Sequence, residues 1–452
     1  MKTLDEMTAA ELGQVGERVE RELALQRANK LALDLSRGKP SPEQLDLSAE
    51  LNAPLPSLIA EDGTDARNYG ALRGIPEARA LGGELMNVAA DRVLAAGNSS
   101  LFLMYQVAVT ALQRGLWGDG RRWSRTPQPA SSNARVSPAA KLERAAGGAP
   151  PPRMLTPVPG YDRHFTICES LGIEMINVAM LDDGPDMDQA RRLAAADASI
   201  KGIWCVPKYA NPTGCIYADE TVAAMAELPR IAAADDFVVF WDNAYAVHDF
   251  EFPAAPLANL YELALAAGTA RHVALFSSTS KMTYASGGLG FCGGSEALLN
   301  ALEGTLSLMC IGPDKVAQLR HARFLSGRIE EHMAGHAALL KPKFAIVDQV
   351  LEEELGGLGL ARWTRPKGGY FVSLTTPPGT AADIVKQAAD VGLKLTPAGA
   401  PFPYGRDPND DNIRIAPSFA PLEELEAAIR VLAGCVKLTA ITHLLGKRPD
   451  GG

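Results

Sequence analysis

Residues 272–288 read HVALFSSTSKMTYASGG: an apolar run of strand length, then small hydroxyl residues, one lysine and two glycines. A lysine at the end of a strand among such neighbours can be partly desolvated, which lowers its pKa and makes the amine of Lys281 a usable nucleophile. The hydroxyls beside it suit a phosphate. The same composition also suits a solvated loop, so the segment gains meaning only from what surrounds it.

Working outward, MLTPV (154–158), EMINVAM (174–180), GIWCVPKY (202–209) and FVVFWD (237–242) are further short β-rich runs bounded by turn residues. Between them lie helical segments such as DMDQARRLAAAD (186–197) and ADETVAAMAELPRIAAA (218–234). That alternation implies βαβ units and a mostly parallel sheet. From about residue 320 the texture changes. A long helical stretch (319–355) leads to short strands at YFVSL, LKLTP and NIRIAPS with helices between and after them, the pattern of a smaller α+β domain. The chain opens on an amphipathic charged helix, followed by an extended LALDL at 31–35 and a Gly/Pro turn, SRGKPSP, at 36–42. Residues 118–152, rich in Ala, Pro, Ser, Gly and Arg, read as a disordered surface insertion.

The 452 residues carry a formal charge of −9 with both signs interspersed, so no basic face invites nucleic acid. Six cysteines lie far apart with no CxxC, as expected for reduced, buried thiols. No metal site is expected. No apolar run is read as reaching the ~18 residues of a membrane span, and no basic-then-apolar leader opens the chain. The expectation is a cytoplasmic protein without a membrane partner.

Three further pieces share the α/β region. Asp242 ends the apolar FVVFW run with Tyr245 three positions on; a buried carboxylate there needs a cationic partner, unless it is a helix N-cap. Asn211-Pro212-Thr213-Gly214 follows GIWCVPKY and is also an ordinary turn sequence. Gly97-Asn98-Ser99-Ser100 opens an apolar helical run, offering free N–H groups and the helix dipole to an anion, or simply an N-cap.

In this order along one α/β region, the pieces resemble fold-type I pyridoxal-phosphate enzymes, in particular class I aminotransferases. The set SRGKPSP (36–42), NYGALRGIPEAR (68–79), GNSSLFLMY (97–105), PVPGYDRHF (157–165), CVPKYANPTG (205–214), WDNAYAVHDF (241–250) and SSTSKMTYASGGLGF (277–291) is most similar to the bacterial aspartate aminotransferase subgroup. The resemblance implies a large cofactor domain at 61–315 with a seven-stranded-type, mostly parallel sheet. A small α+β domain would come from the two chain ends, 1–60 and 316–452.

It further implies that Lys281 forms the Schiff base to pyridoxal 5'-phosphate and moves the substrate proton, and that Asp242 pairs with the pyridine nitrogen. Tyr245 and Asn211 would bond the phenolic oxygen and Tyr161 would stack on the ring. Asn98, Ser99, Ser100, Ser278 and Ser280 would hold the phosphate. Tyr69 would reach it from a second subunit, which makes the protein a homodimer. Arg414 would clamp the substrate α-carboxylate, with the backbone of Gly38 close by. The family's phosphate-gripping arginine falls at Leu289, a departure from the pattern.

The expected reaction is amino transfer between L-aspartate and 2-oxoglutarate. Arg37, Lys39, Arg73 and Arg406 are open as holders of the side-chain carboxylate. Another amino-acid aminotransferase, or a lyase or decarboxylase on the same scaffold, is the alternative. A ligand-sensing regulator is disfavoured, because only about 60 residues precede the cofactor region, too few for a DNA-binding module.

Overall fold

The computed structural model describes residues 3–28, 32–117, 121–123 and 150–447. Most of the insertion expected at 118–152 lies outside the described residues. Of its described beginning, Arg121 and Arg122 are exposed as expected, but Trp123 is buried, donates its indole N–H to the Asp236 carbonyl (3.2 Å) and packs on Phe240.

The strands in chain order are β1 (Leu33–Asp34), β2 (Val93–Ala95), β3 (Arg153–Val158), β4 (Glu174–Leu181), β5 (Gly184–Pro185), β6 (Ile200–Cys205), β7 (Val238–Asp242), β8 (Val273–Ser278), β9 (Gly290–Gly294), β10 (Arg362–Trp363), β11 (Val372–Thr375), β12 (Leu393–Lys394) and β13 (Asn412–Ile415). Eight of them form one sheet in the order β2-β9-β8-β7-β6-β3-β4-β5. The expected seven-stranded, mostly parallel sheet is present, with β9 running against both its neighbours and the two-residue β5 added antiparallel at one edge.

Every residue of β7 and β8 is buried. A parallel sheet covered on both faces requires this, and it is why these strands read as unbroken apolar runs. Side chains still alternate. Val238 and Phe240 join Phe276, Trp204 and the helix Ser100–Gln113 on one face; Val239 and Trp241 join Leu275 and the helices Pro76–Met86 and Asp219–Ile231 on the other. The period of two puts Asp242 on the Phe240 face.

Two smaller sheets lie beyond, β10-β11-β13 antiparallel and β1-β12 parallel, so the chain's two ends pair directly. Their core joins Leu12, Val19 and Leu23 of the first helix to the helices Ile329–Leu355, Ala381–Val391 and Leu422–Lys447. Leu319, Phe324, Leu325, Ile329 and Met333 pack instead with the large-sheet residues.

Three expectations are corrected here. The helical stretch read as continuous over 319–355 is two helices, Lys315–Leu325 and Ile329–Leu355, broken at Gly327, whose φ of +66° suits glycine best. Leu422–Gly446 is long and apolar enough to cross a membrane; here Leu425, Ile429, Leu432 and Val436 fill the core, which accounts for the apolarity. Of the six cysteines, all free, Cys310 is exposed and Cys215 only half-buried.

Phe276 is fully buried in the central strand β8. Phe276→Ala is expected to lower the unfolding free energy by about 3–5 kcal/mol, measured by denaturant titration.

Candidate active site

In an α/β sheet the carboxyl ends of parallel strands open onto one edge, and that edge holds the site. Here four neighbouring strands deliver their following residues to it: β8 leads to Lys281, β7 to Asp242 and Tyr245, β6 to Asn211, and β3 to Tyr161. Residues far apart in sequence become neighbours because strands lie ~4.8 Å apart.

Asp242 is 2% exposed. Its Oδ2 accepts a hydrogen bond from His164 Nε2 at 3.0 Å, and the His164 ring stacks on Trp204 at 4.6 Å. Its Oδ1 is buried, and among the described residues no donor reaches it. An ionised carboxylate only accepts, so this oxygen is aimed at a donor from outside the chain.

Lys281 is half-buried, with Nζ 4.8 Å from the centre of the Tyr245 ring. Burial holds its amine below the ordinary lysine value, with the Asp242 charge pulling the other way. Burial, helped by Tyr161, Asp242 and Tyr370, pushes the Tyr245 hydroxyl well above its usual pKa, so it stays protonated and able to donate. Tyr161 lies edge-on to His164 at 5.0 Å, and burial next to Asp242 raises its hydroxyl in the same way.

Arg414, on β13, closes the other side. Its Nη1 reaches Asp162 Oδ1 at 3.0 Å and Asn211 Oδ1 at 3.3 Å, Nη2 reaches Thr396 Oγ1 at 3.3 Å, and its buried Nε has no partner among the described residues. The guanidinium lies over Phe371, 5.1 Å from the ring centre. Phe371 in turn presses on Gly38, where a Cβ would come within 2.2 Å of the ring, so only glycine lets the two segments meet.

The hydroxyl loops also converge. Ser280 Oγ donates to the Asn98 carbonyl at 2.8 Å, Asn98 Nδ2 donates to the Ser286 carbonyl at 3.3 Å, and Ser99 caps the helix Ser100–Gln113. Glycines make this approach possible: a Cβ on Gly288 would sit 2.8 Å from Ser280 Cα, and one on Gly290 would sit 2.4 Å from the Ser99 carbonyl. Ser100 and Ser278 are buried alongside. Leu289, at the position of the family arginine, turns its side chain into the core while its N–H bonds Thr279 Oγ1 at 2.9 Å.

Tyr69 is not brought to this site within the chain; it is 76% exposed. Arg73 cannot hold a substrate carboxylate, because Glu296 and Glu303 (2.8 Å each) and Asn300 (2.6 Å) already take its guanidinium. Arg37, Lys39 and Arg406 are exposed. A cavity of about 200 Å³ opens behind β7, between Trp241, Asn243 and Asn259, and it contains neither Lys281 nor Asp242.

Sequence reading missed His164, Asp162, Thr396, Tyr370 and Phe371. For His164 a signal existed: it follows Tyr161 by three residues at a helix start, hence on one face. Asp162 directly follows Tyr161 in the same stretch, whereas Thr396, Tyr370 and Phe371 come from distant segments and carry none.

A family model described as aspartate amino-transferase matches residues 7–448. A putative aminotransferase of Mycolicibacterium smegmatis is 43% identical over 95% of this chain and 96% of its own length. The aspartate aminotransferase of Corynebacterium glutamicum is 40% identical over 98% and 97%. The crystal structure of an aspartate transaminase from Corynebacterium glutamicum superposes with a TM-score of 0.87 at 38% identity, covering 98% of this chain and 99% of that one.

Removing one partner of a buried charge leaves the other uncompensated. His164→Phe keeps a ring on Trp204 and removes the donor to Asp242; it is expected to cost ~1.5–3 kcal/mol of stability, the worth of a hydrogen bond to a charged group, read as a lowered unfolding midpoint.

Proposed function

This chain belongs to the aspartate amino-transferase family, and from that premise we propose that it transfers the amino group of L-aspartate to 2-oxoglutarate with pyridoxal 5'-phosphate as cofactor. The observation that carries the reading is the presence in one site of a desolvated amine, Lys281, and a buried carboxylate, Asp242, one of whose oxygens has no donor among the described residues. The residues fit the group: Asp242 Oδ1 suits a protonated ring nitrogen, Tyr161 a ring face, and the glycine-lined meeting of residues 97–100 with 278–290 a phosphate.

When bound, the cofactor supplies a covalent anchor for the amino group and an electron sink that lets the substrate α-hydrogen leave as a proton. The chain's residues do the rest. Desolvation keeps the Lys281 amine available as nucleophile and then as the base that carries that proton. His164 fixes the carboxylate of Asp242, so its free oxygen meets positive charge without reorganising. Tyr245, held protonated, would be available to donate to an oxygen of the bound cofactor.

Arg414 receives the substrate α-carboxylate, with Phe371 as its floor. A carboxylate arriving there competes with Asp162 for Nη1. Phosphate binding rests on neutral donors and the dipole of the helix Ser100–Gln113, since Leu289 offers no charge. We further propose a homodimer with shared sites. Tyr69 lies next to a loop whose Leu308, Met309 and Ile311 are also exposed, and the Gly70 N–H bonds the Ile311 carbonyl at 3.2 Å. A second copy would cover this apolar patch.

Protein reconstituted with the cofactor is expected to show a near-ultraviolet or visible band that Lys281→Ala abolishes; colourless protein contradicts the reading. In a panel of amino donors, aspartate should change that band faster than alanine or phenylalanine. Equal rates would keep the aminotransferase and remove the aspartate assignment. Arg414→Lys should raise KM for the donor about tenfold, the loss of one charge-assisted bond of ~1.5 kcal/mol. Sedimentation should give a dimer, and a fully active monomer would remove the shared site.

A further inference from the structure

Behind Lys281 lies a closed chain of buried hydrogen bonds that the reaction does not itself use. Gln44, His336 and Tyr370 are each 1% exposed or less. Gln44 Oε1 accepts from the Ser41 N–H at 3.1 Å. Gln44 Nε2 lies 3.1 Å from His336 Nδ1 and 3.0 Å from Tyr370 Oη. His336 Nε2 lies 2.8 Å from the Met282 carbonyl, and Tyr370 Oη lies 3.2 Å from the Lys281 carbonyl. His332, one turn before His336, also reaches the Met282 carbonyl, at 2.6 Å.

Only one set of protons satisfies these contacts. A backbone N–H can only donate, so the Gln44 oxygen must face Ser41 and its amide nitrogen must face the other two. A carbonyl can only accept, so His336 carries its proton on Nε2, and its Nδ1 takes one Gln44 hydrogen. Tyr370 takes the other and spends its own on Lys281. Burial, together with His332, holds His336 down to about 4, so the neutral ring that this pattern needs persists at neutral pH. His248, edge-on to Tyr370 at 5.6 Å, is likewise kept neutral by burial, so no charge enters the chain from that side.

The segment that carries Gln44 is the one that carries Gly38. Ser36 accepts from Thr396 Oγ1 and Lys39 from Ser418 Oγ, both at 2.9 Å, so residues 36–46 are docked around β13. Tyr370 and Phe371 are consecutive. One arm runs through Phe371 to the Arg414 guanidinium, and the other through Tyr370 to Lys281.

We propose that Gln44 and Tyr370 are positioning residues for Lys281: they fix the backbone carbonyls of Lys281 and Met282, and tie the seat of the amine to the seating of residues 36–46 beside the Arg414 clamp. This rests on the reading of Lys281 as the reacting amine. It assigns no chemical step to either residue.

The test uses holoenzyme and two readouts, steady-state kinetics and the pH midpoint at which the absorbance of the bound cofactor changes. Tyr370→Phe removes one hydroxyl and keeps the ring. It should lower kcat about fivefold, the rate equivalent of one buried hydrogen bond, leave KM for the amino donor within about twofold, and shift the midpoint by about half a unit or more. Gln44→Leu should do the same, and the double variant should be no worse than the poorer single, because both break one chain.

A wild-type midpoint and kcat in Tyr370→Phe would overturn the proposal, as would losses that add in the double variant. If Gln44→Leu does not fold, Tyr370→Phe alone decides. Wild-type protein lacking a Lys281-dependent band would sink the functional reading instead, so the two failures are distinct.

Discussion

A carboxylate closed off from water, with one oxygen bound and the other left without a donor, is a costly arrangement that a fold keeps only when something supplies the missing positive charge. Asp242 is held in that state by position. It ends β7, a strand buried on both faces, and its side chain follows Phe240 onto the face where His164 lies stacked on Trp204. The rest of the site is arranged around satisfying it.

Lys281 sits one strand away, where the same desolvation that makes Asp242 expensive makes a neutral amine favourable. The two effects oppose each other at Lys281, where burial lowers the amine and the Asp242 charge pulls it back up, and burial wins. The phenols of Tyr245 and Tyr161, both kept protonated by burial and by the nearby acid, extend this logic to the remaining walls.

The clamp proposed for the substrate carboxylate belongs to the smaller sheets. Arg414 stands on a three-stranded sheet whose neighbours, Thr396 and Phe371, are drawn from two more segments, and the N-terminal residues around Gly38 fill the gap between them. Pairing of β1 with β12 and the hydrogen bonds that hold residues 36–39 to Thr396 and Ser418 therefore set the surroundings of Arg414. Lys281 and Arg414 lie on separate elements, and buried contacts through Tyr370 and Phe371 join those elements to one segment.

What the sequence determined was everything that local patterning encodes. Unbroken apolar runs bounded by turns gave the parallel sheet, because strands buried on both faces admit little else. Ser99 and Ser100 before an apolar run gave a helix N-terminus, and Lys281 and Asp242 stood out as charged residues closing such strands. Tertiary structure alone decided the partners. That His164 meets Asp242, that Arg73 is consumed by Glu296 and Glu303, that Trp123 leaves a polar segment for the core, and that Gln44 reaches Tyr370 all depend on strand order and on the pairing of the chain's two ends. Those contacts join residues tens to hundreds of positions apart, and no one-dimensional periodicity records which distant side chain will arrive at a given face.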